Sequence, residues 1–95
     1  MPERQKATPT VRVDNQKTIV TEWRFAAGAE TGWHRHELDY VVVPLTSGKL
    51  KLETNTGTQS SDLVIGVPYF REKGVEHNVI NDNDYEFVFV ETEFK

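Results

Sequence analysis

Three histidines, His34, His36 and His77, are the residues of this sequence best suited to chemistry. His34 and His36 lie two positions apart in residues 31–36, a segment that reads as a short polar strand. Side chains two apart on a strand point to the same face, with Cα atoms about 6–7 Å apart. Two imidazoles at that spacing can bind one metal ion with bonds of about 2.0–2.1 Å. The pair is a candidate metal site, and its alternative is two histidines exposed on a strand surface.

The ligand chemistry is restricted because the sequence contains no cysteine. Disulfides, thiolate metal ligands and a Cys nucleophile are therefore excluded. A metal held here has nitrogen and oxygen ligands. We expect one divalent transition metal, with Zn, Fe, Ni and Mn as candidates. The sequence also lacks a G-x-S-x-G elbow, a phosphate-binding loop and a G-x-G-x-x-G motif.

The elements that position the histidines are predicted to be strands. Apolar residues alternate with a period of two, so that Phe87, Phe89 and Glu91 share one face of residues 85–94. No stretch keeps the helical spacing i, i+3, i+4, i+7 over three turns. Strands are predicted over residues 17–25, 31–36, 40–45, 49–53, 60–67, 69–71, 75–80 and 85–94. About eight short strands with turns between them predict an all-β sandwich or closed barrel.

The chain has 95 residues and no internal repeat or composition break, which predicts one domain. Residues 1–10 are mostly polar with two prolines and are predicted to form a flexible arm, leaving residues 11–95 for the barrel. A domain of this size has a thin margin of stability. We therefore expect a homodimer, to which exchange of the arm would contribute.

The net charge is −4, which argues against a nucleic-acid partner because such proteins need a basic surface. No apolar run approaches the ~20 residues that span a bilayer, so no membrane partner is expected. The first ten residues lack the apolar core of a signal peptide. The expectation is a cytoplasmic protein with a small-molecule ligand.

The spacing of the first two histidines extends to a longer pattern. Gly28, His34, His36 and Gly48 occur with the spacing G-x5-H-x-H and a later glycine. This pattern resembles the first motif of the cupins, G-x5-H-x-H-x3–4-E-x6-G.

The third histidine lies in a second pattern. Gly66, Glu72, Gly74, His77 and Asn81 resemble the second cupin motif, G-x5-P-x-G-x2-H-x3-N, with glutamate where proline is usual. The resemblance covers roughly residues 11–94.

The resemblance implies a cupin double-stranded β-helix, a jelly-roll barrel, with His34, His36 and His77 as the metal ligands. Gly74 and Asn81 are expected to be turn or strand-end residues. Residues 31–46 are similar to those of short bacterial single-domain cupins, some of which are associated with amine or amino-acid catabolism, including β-alanine degradation.

The chain departs from the family at the metal-binding glutamate of the first motif. Counting back from Gly48 places that ligand at Val41, which cannot bind a metal. Asp39 or Tyr40 could serve as the fourth ligand through a shifted register, and otherwise water completes the set. In the plainer interpretation Asp39 is a turn residue and Tyr40 a half-buried aromatic.

Three functions follow from these features. The first is a metalloenzyme acting on a small polar or carboxylate-bearing metabolite in catabolism, with the reaction open because the fold hosts many chemistries. Arg71 could meet an anionic substrate at the barrel mouth, although a solvated surface position is expected for it. The second is a non-catalytic small-molecule-binding or accessory module, and the third is a purely structural dimer. An open cavity with polar groups aimed at the metal favours the enzyme.

Overall fold

The computed structural model describes residues 4–95 and contains nine β-strands and no helix in that range. The strands are β1 (Thr8–Asp14), β2 (Thr18–Phe25), β3 (His34–Arg35), β4 (Asp39–Pro44), β5 (Gly48–Thr54), β6 (Gly57–Leu63), β7 (Tyr69–Arg71), β8 (Glu76–Asn81) and β9 (Phe87–Phe94). Within residues 4–95, no helix is long and apolar enough to cross a membrane.

The strands form two antiparallel sheets. The larger has the order β1-β2-β9-β4-β7 and the smaller has the order β3-β8-β5-β6. Neighbours in each sheet are mostly distant in sequence, so the chain crosses repeatedly between the sheets, as in a jelly roll. The prediction of an all-β, single-domain jelly-roll barrel is confirmed.

The interior between the sheets is apolar at one end. Phe25 and Phe87 are opposite each other on β2 and β9, and both are fully buried. Leu50 and Val42 are also buried and belong to the same core cluster. Burying each such side chain contributes roughly 1.5–3 kcal/mol. The alternation along β2, β4 and β9 therefore fixes which residues face the interior.

Asn81, the last residue of β8, holds this end of the barrel closed. Its side chain is 1% exposed, and its amide donates to the carbonyl oxygens of Phe25 (3.3 Å), Ala26 (3.1 Å) and Tyr85 (2.7 Å). Its Oδ1 accepts from the backbone N–H of Asn83 at 3.1 Å. Asn81 therefore ties three segments together, in agreement with the expected strand-end role.

Two predicted strands differ in length from the observed ones. Residues 31–36 were predicted as one strand, but only His34 and Arg35 form β3. Residues 60–67 were predicted as another, but β6 ends at Leu63 and a turn follows, in which Val67 donates to the carbonyl of Val64 at 3.0 Å. The apolar residues of this turn are exposed, so apolar content alone did not distinguish turn from strand.

The N-terminal segment enters the fold earlier than residue 11. Residues 1–3 of the predicted arm lie outside the described range, but β1 begins at Thr8. Ala7 is buried, and its N–H donates to the carbonyl of Glu30 at 2.8 Å. Nearly every residue of β1 is exposed. The strand therefore lacks the buried apolar face on which the other strand predictions relied.

Candidate metal centre

The three histidines come together because β3 pairs with β8. His34 and His77 are direct partners in this antiparallel pair. Beyond β3, the N–H of His36 donates to the carbonyl of Val75 at 2.8 Å, and the N–H of Gly74 donates to the carbonyl of His36 at 2.8 Å. Gly74 has φ +100°, a conformation that favours glycine. The turn before β8 therefore positions His36 beside His77.

The ring nitrogens converge on one point. His36 Nε2 lies 3.0 Å from His34 Nε2 and 3.1 Å from His77 Nε2. Ligand atoms bound at about 2.1 Å to one ion are about 3.0 Å apart at right angles and about 3.4 Å apart in a tetrahedron. The observed separations fall within that range. The donor set therefore fits a divalent transition metal bound by three imidazoles.

A hydrogen bond sets the orientation of the His34 ring. Its Nδ1 lies 2.9 Å from the carbonyl oxygen of Gly32 and 3.3 Å from Thr31 Oγ1. A carbonyl oxygen only accepts, so Nδ1 carries the proton and Nε2 presents its lone pair to the other histidines. Such second contacts commonly orient metal-binding histidines.

Burial keeps two of the histidines neutral. Burial lowers the pKa of His36 to about 4, and the charge of His34 acts in the same direction. Burial also lowers the pKa of His77 to about 3, again with the charge of His34. Metal ions bind neutral imidazole. The lone pairs of both rings are therefore available near neutral pH.

Tyr40, one of the two predicted fourth ligands, lies beside the histidines. Its ring stacks on His36, with centroids 3.9 Å apart and planes at 18°. Burial raises the pKa of the Tyr40 phenol, so the group stays protonated near neutral pH. In this geometry Tyr40 supports the His36 ring and presents a phenol rather than a phenolate.

Asp39, the other predicted fourth ligand, is not brought to the histidines. It lies on the opposite face of β4 from Tyr40 and Val42, both of which are buried. Its Oδ1 accepts a hydrogen bond from the backbone N–H of Lys73 at 2.8 Å. Val41 shares its outward face, so the position counted back from Gly48 does not point inward at all.

Two carboxylates that the sequence analysis did not propose as ligands approach His36 from β9. A ring nitrogen of His36 and one carboxylate oxygen each from Glu91 and Glu93 lie within 4.8 Å of one another. Glu91 is 8% exposed. Burial raises its pKa to about 7, as does the charge of Glu93, while a hydrogen bond from Trp23 acts oppositely. The feature of the sequence that could have identified Glu91 is its position on the same strand face as Phe87 and Phe89.

A cavity of about 180 Å³ opens beside the histidines. Its polar lining comprises, among others, His34, His77, Tyr40, Arg71 and Glu91. The Arg71 guanidinium lies 4.6 Å from the centroid of the Tyr69 ring. Arg71 is exposed, as expected from the sequence, and it also lines the cavity. A small molecule in this space would meet the Arg71 guanidinium, the Tyr40 phenol, the edges of two imidazoles and the carboxyl group of Glu91.

The barrel and the histidine cluster together define a cupin, and comparisons with known proteins agree. No protein-family model matches the chain. A cupin domain from Bordetella pertussis, known as a crystal structure, is 60% identical with a TM-score of 0.98, over 100% of this chain and 99% of that one. A cupin superfamily protein from Desulfitobacterium hafniense is 13% identical with a TM-score of 0.73, over 99% of this chain and 82% of that one, and shows the fold alone.

The sequence relationship is closer still to a curated protein. The β-alanine degradation protein BauB of Pseudomonas aeruginosa is 64% identical over 95 residues, which is 100% of both chains. The chain belongs to the cupins, in the family of BauB.

Proposed function

We propose that this protein binds one divalent transition metal through His34, His36 and His77 and acts on a small carboxylate-bearing metabolite. The observation that carries the proposal is the convergence of three Nε2 atoms, 3.0 and 3.1 Å apart, beside a cavity. When bound, the metal would supply a Lewis acid and a point of attachment for an oxygen ligand. Zn, Fe, Ni and Mn all suit an imidazole and carboxylate donor set.

The chemistry of the cavity supports a small anionic metabolite. Arg71 presents its charge to the cavity, and within residues 4–95 no Asp or Glu oxygen lies within 4.0 Å of its guanidinium nitrogens. A guanidinium binds carboxylates through two parallel hydrogen bonds. The name of BauB refers to the degradation of β-alanine, a small amino acid that carries a carboxylate. That name supports a catabolic role for the present chain.

The chain's own residues have separate tasks in this proposal. Arg71 would bind the substrate carboxylate at the mouth, and the stacked ring of Tyr40 would keep His36 in place. The protonated phenol of Tyr40 would also offer a hydrogen bond to a substrate oxygen. The apolar wall excludes water from part of the cavity and strengthens these polar contacts. A cytoplasmic location and a homodimer stay predictions from the sequence.

The test is elemental analysis of purified protein beside the double variant His34→Ala/His36→Ala. We expect about one metal ion per chain in the wild type and its loss in the variant. Arg35→Ala is the matched control, because Arg35 lies between the two histidines with an exposed side chain. No bound metal in the wild type after incubation with Fe, Mn, Ni and Zn contradicts the proposal. Bound metal and bound carboxylate without turnover would favour the non-catalytic module.

A further inference from the structure

The cupin motif places a glutamate ligand on the strand that follows the two histidines, and this chain has none there. The inward residues of β4 are Tyr40 and Val42. Neither carries a carboxylate. The Asp39 side chain points away from the histidines and accepts a hydrogen bond from the backbone N–H of Lys73. An oxygen ligand for the metal therefore has to come from another element.

That element is β9, which pairs with β4. Val42 is the cross-strand partner of Glu91, and Tyr40 is the partner of Glu93. Side chains of direct partners on neighbouring strands start about 4.5–5.5 Å apart at Cβ. A carboxylate on β9 thus reaches nearly the same space as one on β4 would. The carboxylates of Glu91 and Glu93 each have an oxygen within 4.8 Å of a ring nitrogen of His36.

The carboxylates of Glu91 and Glu93 lie close together without a positively charged side chain beside them in residues 4–95. Glu91 is 8% exposed and lies close to the carboxylate of Glu93. Within residues 4–95, no Lys or Arg nitrogen lies within 4.0 Å of either side chain. A buried carboxylate is costly unless it is paired or binds a metal. An ion held by His36 would supply that positive charge.

We propose that Glu91 is the fourth protein ligand, an oxygen donor from β9 that replaces the missing glutamate of β4. The inference rests on the proposed metal binding by the three histidines. Glu91 is chosen over Glu93 because Glu91 lines the cavity together with His34 and His77 and is more deeply buried. To bind the ion, the Glu91 carboxylate, which lies within 4.8 Å of a ring nitrogen of His36, would have to turn toward the point where the three histidine nitrogens converge.

The assignment changes the charge of the centre. A divalent ion held by three neutral imidazoles alone carries a charge of +2, and Glu91 reduces the total to +1. Arg71 is then the cation of the cavity wall that stays free for a substrate carboxylate. Four protein ligands still leave positions open to substrate if the ion is five- or six-coordinate.

The test compares cobalt binding by the wild type, Glu91→Gln and Glu93→Gln. Co²⁺ reports its ligands through visible absorption, and titration calorimetry gives the affinity at pH 7. We expect E91Q to bind Co²⁺ at least about tenfold more weakly, because even loss of an outer contact costs 10–100-fold. Its visible bands should shift as one oxygen ligand is replaced. E93Q is the matched comparison and should weaken Co²⁺ binding less than E91Q does, because Glu93 is less buried and does not line the cavity.

Two results would overturn the assignment of Glu91 as a ligand. One is an E91Q variant with the affinity and visible bands of the wild type, and the other is a loss of affinity confined to E93Q. A wild type that binds neither Co²⁺ nor Zn²⁺, Fe²⁺ or Mn²⁺ overturns the proposed function itself. Circular dichroism of the metal-free variants checks folding. If E91Q does not fold, Glu91→Asp keeps the carboxylate but withdraws it by about 1.5 Å, and it should weaken binding relative to the wild type; unchanged binding overturns the assignment.

Discussion

His34 and His77 are direct partners across the β3–β8 pair, and their imidazole rings lie edge to face with centroids 4.7 Å apart. One ligand thus comes from each of two hydrogen-bonded strands that are distant in sequence. Backbone pairing therefore sets the separation of the Cα atoms of these two candidate ligands.

We expect His77→Gln to lose most of its metal affinity while remaining folded. The substitution removes one of three imidazoles but keeps a polar side chain of similar length. A loss of at least about a hundredfold is expected, since removing a ligand should exceed the 10–100-fold effect of an outer contact. Competition with a chelating dye measures it. Glu76→Gln, at the neighbouring and exposed position, should bind as the wild type does.

A second prediction concerns Thr31, which lies beside the His34 ring together with the carbonyl of Gly32. Thr31 Oγ1 lies 3.3 Å from His34 Nδ1 and also accepts from the N–H of Val79 at 3.1 Å. Thr31→Val keeps the shape but removes the hydroxyl, and we expect metal affinity to fall about tenfold. Thr31→Ser restores the hydroxyl and should restore the affinity. If the Thr31→Val and Thr31→Ser variants bind the metal equally well, the hydroxyl of Thr31 does not help to orient the His34 ring.

Arg71 can be tested separately from the metal. Arg71→Gln removes the charge from the cavity wall without touching the histidine cluster. We expect about one metal ion per chain to be retained, whereas binding of β-alanine and other small carboxylates by the metal-loaded protein weakens about tenfold or more. Titration calorimetry measures both. Arg35→Gln is the control because its side chain is exposed and pairs with Glu37. Equal carboxylate binding by both variants would remove Arg71 from substrate recognition.

The fold was largely predictable because apolar and polar residues alternate along several strands of the sequence. Phe87, Phe89 and Glu91 lie on one face of β9 as predicted, and all three are buried. The spacing of glycines and histidines also placed His34, His36 and His77 together. What the sequence could not supply was strand register, which decides that Tyr40 and not Asp39 points inward. The bend between β3 and β4 sets that register, and no residue count from Gly48 reveals it.

The role of Glu91 was hidden for a related reason. Its position near His36 depends on β9 pairing with β4, two strands that are separated by more than forty residues in the chain. The inward parity of Glu91 was visible in the sequence, but its neighbours across the sheet were not. An acidic residue on an otherwise aromatic inward face is nevertheless a signal that could be used in other chains of this family.

Asn81 should contribute strongly to stability. Its amide donates to three backbone carbonyls, and the side chain is almost fully buried. Asn81→Ala leaves buried polar groups without partners, which costs about 3 kcal/mol. For a domain of this size the melting temperature should fall by about 10 °C or more. Thermal unfolding followed by circular dichroism tests this, with exposed Asn55→Ala as the control. Equal melting temperatures for the two variants would show that the hydrogen bonds of Asn81 do not stabilise the fold.

The last prediction concerns the pH dependence of the metal-free protein. In the unfolded chain histidine titrates near 6.5, whereas burial lowers the pKa of His36 to about 4 and of His77 to about 3. As the pH falls below 6.5 the unfolded state takes up protons that the folded state refuses. Both histidines therefore lower the free energy of unfolding between about pH 6.5 and pH 4.

Glu91 acts in the opposite direction over an overlapping range. Burial raises its pKa in the folded state to about 7, while the unfolded carboxyl titrates near 4.5. As the pH falls from 7 to 4.5 the folded state binds the extra proton, so Glu91 adds stability toward acid. Metal-free E91Q should therefore lose stability more steeply on acidification than the wild type, by on the order of 2 kcal/mol. His77→Gln should lose it less steeply. Urea unfolding at a series of pH values measures these slopes, and parallel curves for all three proteins would show that neither group is perturbed.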